Sequence, residues 1–269
     1  MENQNQTPHK RRVRYKGKYP KKFEEKYKEL QPEKYKDTIE HVIQKGNTPA
    51  GMHISIMVKE IIDFLNIQPG ETGFDATLGY GGHTKAMLQC LNGKGHIYAT
   101  DVDPEESAKT KKRLAEQGFG EDMLTVKLQN FCTIDEIAKE VGGFDFILAD
   151  LGVSSMQIDN PKRGFSFKTD GPLDLRLNQE AGISAAERLD TISRDELAGM
   201  LYENSDEPYC EELAKAITDE IRRGNRIDTT TKLRQVIEKT LDFLPEKEKK
   251  DTVKKTCQRT FQALRIDVN

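Results

Sequence analysis

The residues of this sequence that are best suited to bind a ligand form a glycine-rich turn at residues 79–83, which follows an apolar stretch at residues 74–78. A strand that runs into such a turn and then a helix presents backbone N–H groups and the positive end of a helix dipole. A second apolar stretch ends in Asp101, eighteen residues after His83. A carboxylate about 20 residues beyond a glycine turn is how a βαβ unit binds the ribose of a nucleoside.

The turn alone leaves the identity of the ligand open. Gly79 and Gly81 fit the dinucleotide pattern Gly-x-Gly-x-x-Gly, but Thr84 stands at the third glycine position and no Walker Gly-Lys-Ser/Thr sequence follows. This looser turn suits a ligand without a pyrophosphate, such as S-adenosylmethionine. A nucleotide-binding oxidoreductase and a tight strand–helix turn without any ligand are the alternatives.

Apolar stretches alternate with helix-forming stretches along the first half of the chain. This alternation predicts an α/β fold with a parallel sheet covered by helices on both faces. Strands are predicted at residues 73–78, 96–100, 124–128 and 144–149, and helices at residues 55–65, 83–91, 105–117 and 133–140. The fourth predicted strand ends directly before Asp150, a second carboxylate at the carboxyl edge of the sheet.

The pattern changes after Asp150. Residues 151–180 are rich in Gly, Pro, Ser and Asp and have no periodicity, which predicts a long structured loop of the kind that usually carries function. From residue 184 onward the sequence is helical. Ser184 and Ser193 each begin a capping-box pattern, and further helices are predicted at residues 209–223 and 230–242.

The composition indicates a cytoplasmic protein. Of the 269 residues, 35% are hydrophobic and 32% are charged, and no apolar run approaches the roughly 18 residues that a membrane span needs. The amino terminus has no apolar segment typical of a secretory signal. The four cysteines are scattered and form no Cys-x-x-Cys pair, so we expect buried, reduced thiols and neither disulfides nor a metal site.

Residues 1–36 form a basic segment with a net charge of +7, whereas the rest of the chain carries −10. Tyrosines and a phenylalanine lie between its lysines and arginines. Because lysine and arginine neutralise phosphates and aromatic rings stack on unpaired bases, a flexible RNA-binding arm is one interpretation. A disordered, solubilising tail is the other.

Three sequence blocks carry a resemblance to a known family. One is Gly-Gly-His at residues 81–83. The second runs from Asp-Leu-Gly-Val-Ser-Ser-Met-Gln at residues 150–157 to Asp-Gly-Pro-Leu-Asp-Leu-Arg at residues 170–176, and the third is Arg-Thr-Phe-Gln-Ala-Leu-Arg-Ile-Asp-Val-Asn at residues 259–269. Together they closely resemble the MraW-type family of S-adenosylmethionine-dependent 16S rRNA cytosine-N4 methyltransferases, with matches from about residue 52 to residue 269.

The resemblance implies a Rossmann-like class I methyltransferase core with an inserted helical domain. The domains expected are the basic flexible arm at residues 1–36, the cofactor-binding core at 37–152, the loop and helical insertion at 153–257, and the start of a return to the core at 258–269. Departures such as Met156 in place of the family's proline suggest a divergent branch. The family continues beyond Val-Asn with further sheet strands, so we expect either a truncated fragment or a fold that another chain completes. In the chain alone the fourth strand would be an exposed sheet edge, cofactor binding would be weak and catalysis would be crippled.

The resemblance also implies a cofactor pocket for S-adenosylmethionine. It assigns that pocket to Gly81, Gly82, His83, Asp101, Phe131, Asp150 and Gln157. The first three residues would hold the methionine end, Asp101 the ribose and Phe131 the adenine.

The reaction implied is methyl transfer to the exocyclic N4 amine of cytosine. That amine is a poor nucleophile, so the enzyme must align nitrogen, methyl and sulfur and stabilise the charge that develops on the amine. Asp150 is the catalytic candidate that would accept a hydrogen bond or a proton from the amine, and Asp174 is a second. The chain lacks the Asp/Asn-Pro-Pro-aromatic motif of other exocyclic-amine methyltransferases.

The expected partner is ribosomal RNA or the small ribosomal subunit, and a homodimer is possible. Four basic residues would face the RNA backbone: Lys162, Arg163, Lys168 and Arg176. Phe165 or Phe167 could stack on a base or pack in the structure. The main rival is a non-catalytic RNA-binding or assembly protein that retains the methyltransferase fold; a small-molecule or protein methyltransferase fits the loop less well.

Overall fold

A computed structural model describes residues 55–269, apart from the side chains of residues 155 and 156. The predicted α/β fold is confirmed: four parallel strands form one sheet in the order β3-β2-β1-β4. The strands are β1 Thr72–Asp75, β2 His96–Asp101, β3 Leu124–Leu128 and β4 Phe146–Leu148. The predicted arm at residues 1–36 and a short predicted helix at residues 37–45 lie outside the described residues.

Helices cover both faces of the sheet, as the alternating pattern predicts. They are α1 Val58–Leu65, α2 Gly82–Leu91, α3 Pro104–Glu116 and α4 Ile134–Val141. On one face the strand residues Ile97 and Ala99 pack with Leu88 of α2 in a buried cluster. On the other face Phe74 packs with Ile137 of α4. Adjacent residues of one strand therefore contribute to the hydrophobic clusters on opposite faces of the sheet, because successive side chains of a strand point to opposite faces.

Strand β1 is shorter than the predicted strand at residues 73–78. Its regular pairing ends at Asp75, although Ala76 N–H still donates to Leu148 and Leu78 N–H donates to Thr100. Strand β4 pairs with β1 alone among the described strands, so the prediction that the fourth strand forms a sheet edge is confirmed. Ile147 in the middle of β4 is 53% exposed.

The second half of the described chain is helical. Its helices are α5 Ser155–Asp159, a 3₁₀ turn Pro161–Arg163, α6 Ala185–Thr191, α7 Arg194–Ser205, α8 Cys210–Arg222, α9 Thr230–Thr240 and α10 Glu246–Asp267. Ser184 forms the full capping box with Glu187 that its pattern predicts, because both partners lie within one turn. Ser193 accepts from Glu196 N–H, and Thr229 is the residue that caps α9.

Helix α10 is the longest helix in the described part of the chain; it lies in the region predicted to be helical from residue 184 onward, but its bounds were not predicted. Its first ten residues, 246–255, are strongly charged and leave no apolar stripe to recognise. Burial begins at Thr256 and continues through Phe261 and Leu264, which join the hydrophobic cluster of the helical part. The helix crosses residues 257 and 258, where the sequence places a domain boundary, without a break.

A buried carboxylate lies between α7 and α8. Glu207 is fully buried; its Oε1 accepts from Tyr209 N–H at 3.1 Å and from the Thr256 hydroxyl at 3.3 Å. Its Oε2 has no hydrogen-bond partner in the described part of the molecule. Burial raises the pKa of Glu207, and the charge of Arg259 offsets part of that rise. The ionised side chain therefore destabilises the native state.

We expect Glu207→Gln to raise the free energy of unfolding by about 1 kcal/mol at pH 8, because a buried charge with an unpaired oxygen is removed. The pKa of Glu207 is higher in the native state than in the unfolded state, so the native state holds the proton more tightly. The wild type therefore loses stability as the pH rises from the unfolded pKa through the native pKa. The gain should therefore shrink toward pH 4. Urea unfolding of both proteins across this range measures it, with exposed Glu203→Gln as the control. An equal gain at all pH values would contradict the prediction.

The cysteines only partly follow the expectation of buried thiols. Cys257 is buried, and burial raises its pKa to about 12, whereas Cys132 is exposed. Within residues 55–269 no helix is long and apolar enough to cross a membrane. The same residues contain no cluster of three or more His, Cys, Asp or Glu side chains suited to a metal ion.

Candidate active site

A cavity of about 590 Å³ opens at the carboxyl ends of the strands. This is the edge of a parallel sheet at which ligands bind in open α/β folds. All seven residues assigned to the cofactor pocket line it: Gly81, Gly82, His83, Asp101, Phe131, Asp150 and Gln157. The structure thus brings the predicted site residues together, while their role in holding a cofactor stays a prediction.

The glycine turn forms one wall of the cavity and leads directly into α2. Gly79 and Gly81 have φ angles of 46° and 67°, in the left-handed region that favours glycine. A Cβ on Gly81 would approach Thr110 to 2.7 Å, and one on Gly82 would approach the Ser55 hydroxyl to 2.2 Å. Packing and the positive φ therefore require glycine at position 81 even without a ligand, whereas the clash at Gly82 is with the end of the Ser55 side chain, which can turn aside. The turn also leaves the first N–H groups of α2 without acceptors in the helix.

Asp101 lies at the end of β2 and faces the cavity beside the turn. Its Oδ2 accepts from Gly79 N–H at 2.8 Å and its Oδ1 accepts from Asp103 N–H at 2.9 Å. Burial raises the pKa of Asp101, and these two hydrogen bonds offset part of the rise. The carboxylate thus fixes the turn and keeps lone pairs for a ligand hydroxyl. Capping of α3 falls to Asp103 instead, which accepts from two N–H groups of that helix.

His83 and Asp150 lie close together in the lining of the cavity. His83 Nε2 lies 2.9 Å from the carbonyl oxygen of Ile56, and because a carbonyl can only accept, Nε2 carries the hydrogen. His83 Nδ1 therefore points toward Asp150, 3.7 Å from its Oδ2. The Asp150 N–H donates to the Thr77 hydroxyl at 2.8 Å, which holds the backbone while the carboxylate stays 45% exposed. Asp150 is the carboxylate best placed to meet a substrate.

Asp75 supports the turn from behind and was not assigned a role from the sequence. It is buried, and its carboxylate accepts from the Thr84 hydroxyl at 2.5 Å and from Thr77 N–H at 3.0 Å. Burial raises the pKa of Asp75, with the Thr84 and Thr77 hydrogen bonds opposing that rise. A charged residue inside a predicted buried strand was the signal that could have identified it.

The prediction that Arg163 faces the RNA backbone is wrong. Arg163 is buried; its Nη2 lies 2.7 Å from Asp103 Oδ2, and its Nη1 donates to the Leu177 carbonyl at 2.8 Å. Gln157 Nε2 donates to the same Asp103 oxygen at 3.1 Å, and Gln157 Oε1 accepts from Ser154 N–H. These contacts attach the loop after β4 to the start of α3, beside Asp101.

Arg176 and Asp174 also differ from their predicted roles. Arg176 is partly buried and pairs with Asp174 at 2.8 Å, so neither is free for RNA or for catalysis. Burial alone would raise the pKa of Asp174, but the hydrogen bonds from Arg176 outweigh burial and lower it. Phe165 is buried in the helical cluster, and Phe167 packs edge-on against Phe261 at 5.8 Å. Lys162 and Lys168 are exposed, as predicted.

Four further residues that sequence reasoning did not assign line the same space: Leu177 and, from the end of the described chain, Arg265, Ile266 and Asn269. Asn269 holds this corner in place, because its Oδ1 accepts from Leu177 N–H at 2.6 Å and its Nδ2 donates to the Leu175 carbonyl at 2.7 Å. The block at residues 259–269 was the available signal, but nothing in the sequence shows which of its side chains reach the cavity.

A comparison with protein families assigns this site to a known group. The model of the MraW methylase family matches residues 50–269, which include every residue of the cavity. The chain belongs to the MraW methylase family. It is therefore a member of a methyltransferase enzyme family, and the resemblance seen in the three sequence blocks is confirmed.

Three curated relatives of this family member are each named as a ribosomal RNA small subunit methyltransferase H. "Ribosomal RNA small subunit methyltransferase H 1" of Agathobacter rectalis is 87% identical over 97% of this chain and 75% of its own length. A protein of the same name from Lachnoclostridium phytofermentans is 70% identical over 99% of this chain and 73% of its own length. "Ribosomal RNA small subunit methyltransferase H 2" of Alkaliphilus metalliredigens is 61% identical over 96% of this chain and 74% of its own length.

Proposed function

We propose that this MraW family member transfers a methyl group from S-adenosylmethionine to the exocyclic N4 amine of a cytosine in small-subunit ribosomal RNA, in the cytoplasm. The observation that carries the proposal is the cavity itself. Its lining combines a glycine turn with two carboxylates: Asp101 at the end of β2, placed as a ribose-binding carboxylate would be, and half-exposed Asp150 after β4. The chain that carries this cavity belongs to a methylase family.

The cavity fits S-adenosylmethionine in size and chemistry. Its volume of about 590 Å³ lies within the roughly 300–1,000 Å³ usual for small-molecule sites. The first N–H groups of α2 suit the carboxylate of the methionine end. Asp101 suits the ribose hydroxyls, and Phe131, 40% exposed at the cavity wall, suits the adenine ring. Gln157 has its amide engaged by Asp103 and Ser154, so it supports the pocket through the loop.

S-adenosylmethionine, when bound, supplies a methyl carbon activated by a positively charged sulfur. The target nitrogen gains that methyl group and must lose one of its two protons. Asp150 can accept a hydrogen bond from the amine, align its lone pair and take the proton. The imidazole of His83 is held by the Ile56 carbonyl, and its Nδ1 lies 3.7 Å from Asp150 Oδ2 on the wall of the same cavity. No residue has to form a covalent bond to the base.

The RNA substrate is supported by the relatives, each named as a methyltransferase of small-subunit ribosomal RNA. The site adds a structural reason for a base as substrate. The Asp150 side chain is 45% exposed and lines the cavity, so a large substrate can present one amine to it without entering the fold.

Mass spectrometry can test the proposal directly. Small ribosomal subunits from cells that lack this gene are incubated with the purified protein and S-adenosylmethionine that carries a deuterated methyl group. We expect one cytosine to gain the label at N4. A label at ring carbon, at a ribose hydroxyl or on protein would overturn the assignment.

The rival, a non-catalytic RNA-binding protein with the same fold, makes a different prediction in the same experiment. It would bind the subunits, transfer no label, and show no heat of binding with S-adenosylmethionine or its demethylated product. Tight binding of the cofactor without transfer to any RNA would leave only the cofactor part of the proposal standing.

We expect Asp101→Asn to weaken the binding of S-adenosylmethionine about 10- to 100-fold, because a charged acceptor for the ribose is lost. Because burial raises the pKa of Asp101, this carboxylate should become protonated at a higher pH than an ordinary aspartate as the pH is lowered, and wild-type affinity for S-adenosylmethionine should fall there. The affinity of the Asp101→Asn variant should depend less on pH. Calorimetry over a pH series measures both effects. Exposed Asp122→Asn is the control, and an unchanged Kd in Asp101→Asn would contradict the ribose assignment.

A further inference from the structure

A second cavity of about 220 Å³ adjoins the helical part of the molecule. It is lined by Ile158, Asp159, Phe165, Ser166, Phe167, Lys168, Gln258, Phe261, Gln262 and Arg265. Its volume lies below the range of sites for drug-sized ligands, so it suits a smaller group such as a single base. Phe167, only partly buried, offers a ring for stacking, and exposed Lys168 adds a positive charge at the rim.

Arg265 is the residue that the linings of the two cavities share. It projects from the last turn of α10, and its guanidinium forms no ion pair or side-chain hydrogen bond with any residue in the range 55–269. Arg176 and Arg188, in the same helical region, each pair with a carboxylate. Arg265 thus differs from both in lacking a counter-charge.

Burial makes this lack significant. Arg265 is partly buried, and burial is the cause that lowers its pKa. Removing a charge from water without a partner is unfavourable, so charges removed from water are normally paired. The planar guanidinium matches phosphate oxygens in a two-pronged contact. The Arg265 guanidinium is therefore suited to bind an anion that lies between the two cavities.

We propose that Arg265 binds the phosphodiester that joins the target nucleotide, at the first cavity, to a neighbouring nucleotide whose base enters the second cavity. This inference rests on the proposed RNA substrate. A single-stranded segment places one phosphate between successive bases, so one cation between two base-sized spaces fixes which base reaches Asp150. Arg265 is then a positioning residue for the methyl acceptor.

The carboxylate of S-adenosylmethionine is the other anion that could reach Arg265. The start of α2 already offers that carboxylate free N–H groups, whereas nothing else in the second cavity except Lys168 could neutralise a phosphate. Contact with RNA is therefore the stronger assignment, and the two sources respond differently to substitution.

The test compares Arg265→Gln, Arg265→Lys and the exposed control Arg234→Gln, whose side chain pairs with Glu238 on the surface of α9. The probe is a short single-stranded RNA that spans the cytosine labelled by the wild type. We expect Arg265→Gln to weaken RNA binding about 10- to 100-fold and to reduce the slope of log K against log salt by about 0.7. Arg265→Lys should restore part of the affinity, and the Kd of S-adenosylmethionine should not change.

A neutral methylphosphonate placed beside the target cytosine identifies the phosphate. It should weaken binding to the wild type but add little to the defect of Arg265→Gln. An Arg265→Gln variant with wild-type RNA affinity and salt slope would overturn the proposal, as would a variant that loses cofactor affinity alone. Failure of the wild type to methylate RNA would remove the proposed function itself, and that failure is visible before any variant is made.

Discussion

Replacement of Asp150 by asparagine is expected to lower kcat for methyl transfer about 100- to 10,000-fold, because an amide cannot take the proton that the amine must lose. Asparagine keeps the size of the side chain and the Asp150 N–H bond to Thr77. We therefore expect the Kd of S-adenosylmethionine to change only a few-fold. Single-turnover methylation of small subunits, with calorimetry on the same preparations, separates the two quantities.

Asp145→Asn is the matched control, since Asp145 lies next to the opposite end of β4 and its carboxylate accepts from Thr72 N–H, away from the cavity. Its kcat should remain close to that of the wild type. If Asp150→Asn instead lost cofactor affinity and kept kcat, Asp150 would belong to cofactor binding and another group would accept the proton.

Replacement of Arg163 by methionine is expected to lower the free energy of unfolding by about 3–5 kcal/mol, because it leaves the Asp103 carboxylate buried without its partner. Asp103→Asn combined with Arg163→Met should be more stable than Arg163→Met alone. The double variant carries no unpaired charge, and asparagine still caps α3. Urea unfolding at neutral pH measures these differences.

Lys109→Met on α3 is the control for this prediction, since Lys109 is exposed and pairs with Glu105 and Glu106 at the surface. It should change stability by less than about 1 kcal/mol. Equal effects of Arg163→Met and Lys109→Met would show that the buried pair contributes no more than a surface pair. Because Arg163 also holds the loop beside Asp101, its loss should weaken cofactor binding as well.

The sheet and its functional edge could be predicted because they depend on local patterns and on one rule of topology. Apolar stretches with short helices between them specify parallel strands, and parallel strands end at the same edge. Asp101 and Asp150 each follow such a stretch, which is why residues 49 positions apart were expected in one site. The capping box at Ser184 was predictable for a similar reason, since its partners lie within one turn.

Arg163 shows what local reasoning could not predict. In the sequence it stands beside exposed Lys162 and looks like part of a basic surface. Its burial depends on Asp103, 60 residues earlier, and only the folded loop brings the two together. Phe165 is buried for the same reason, because the loop closes over the helical cluster.

Helix α10 and Arg265 show a second limit. The first turns of α10 have no apolar stripe, so hydrophobic periodicity could not reveal a helix that only its later residues anchor to the core. The lack of a partner for Arg265 is a property of its surroundings in space. A sequence shows which charges exist, but the structure alone shows which of them have counter-charges nearby.

The central claim is that the cavity at the ends of β1, β2 and β4 holds the methyl donor beside Asp150. A crystal structure of this protein soaked with S-adenosylmethionine tests it most directly. We expect the ribose hydroxyls within hydrogen-bond distance of the Asp101 carboxylate, and the donor's methyl group on the side of the cavity that Asp150 faces. Donor bound elsewhere, or a cavity closed by side chains at saturating donor, would contradict the account.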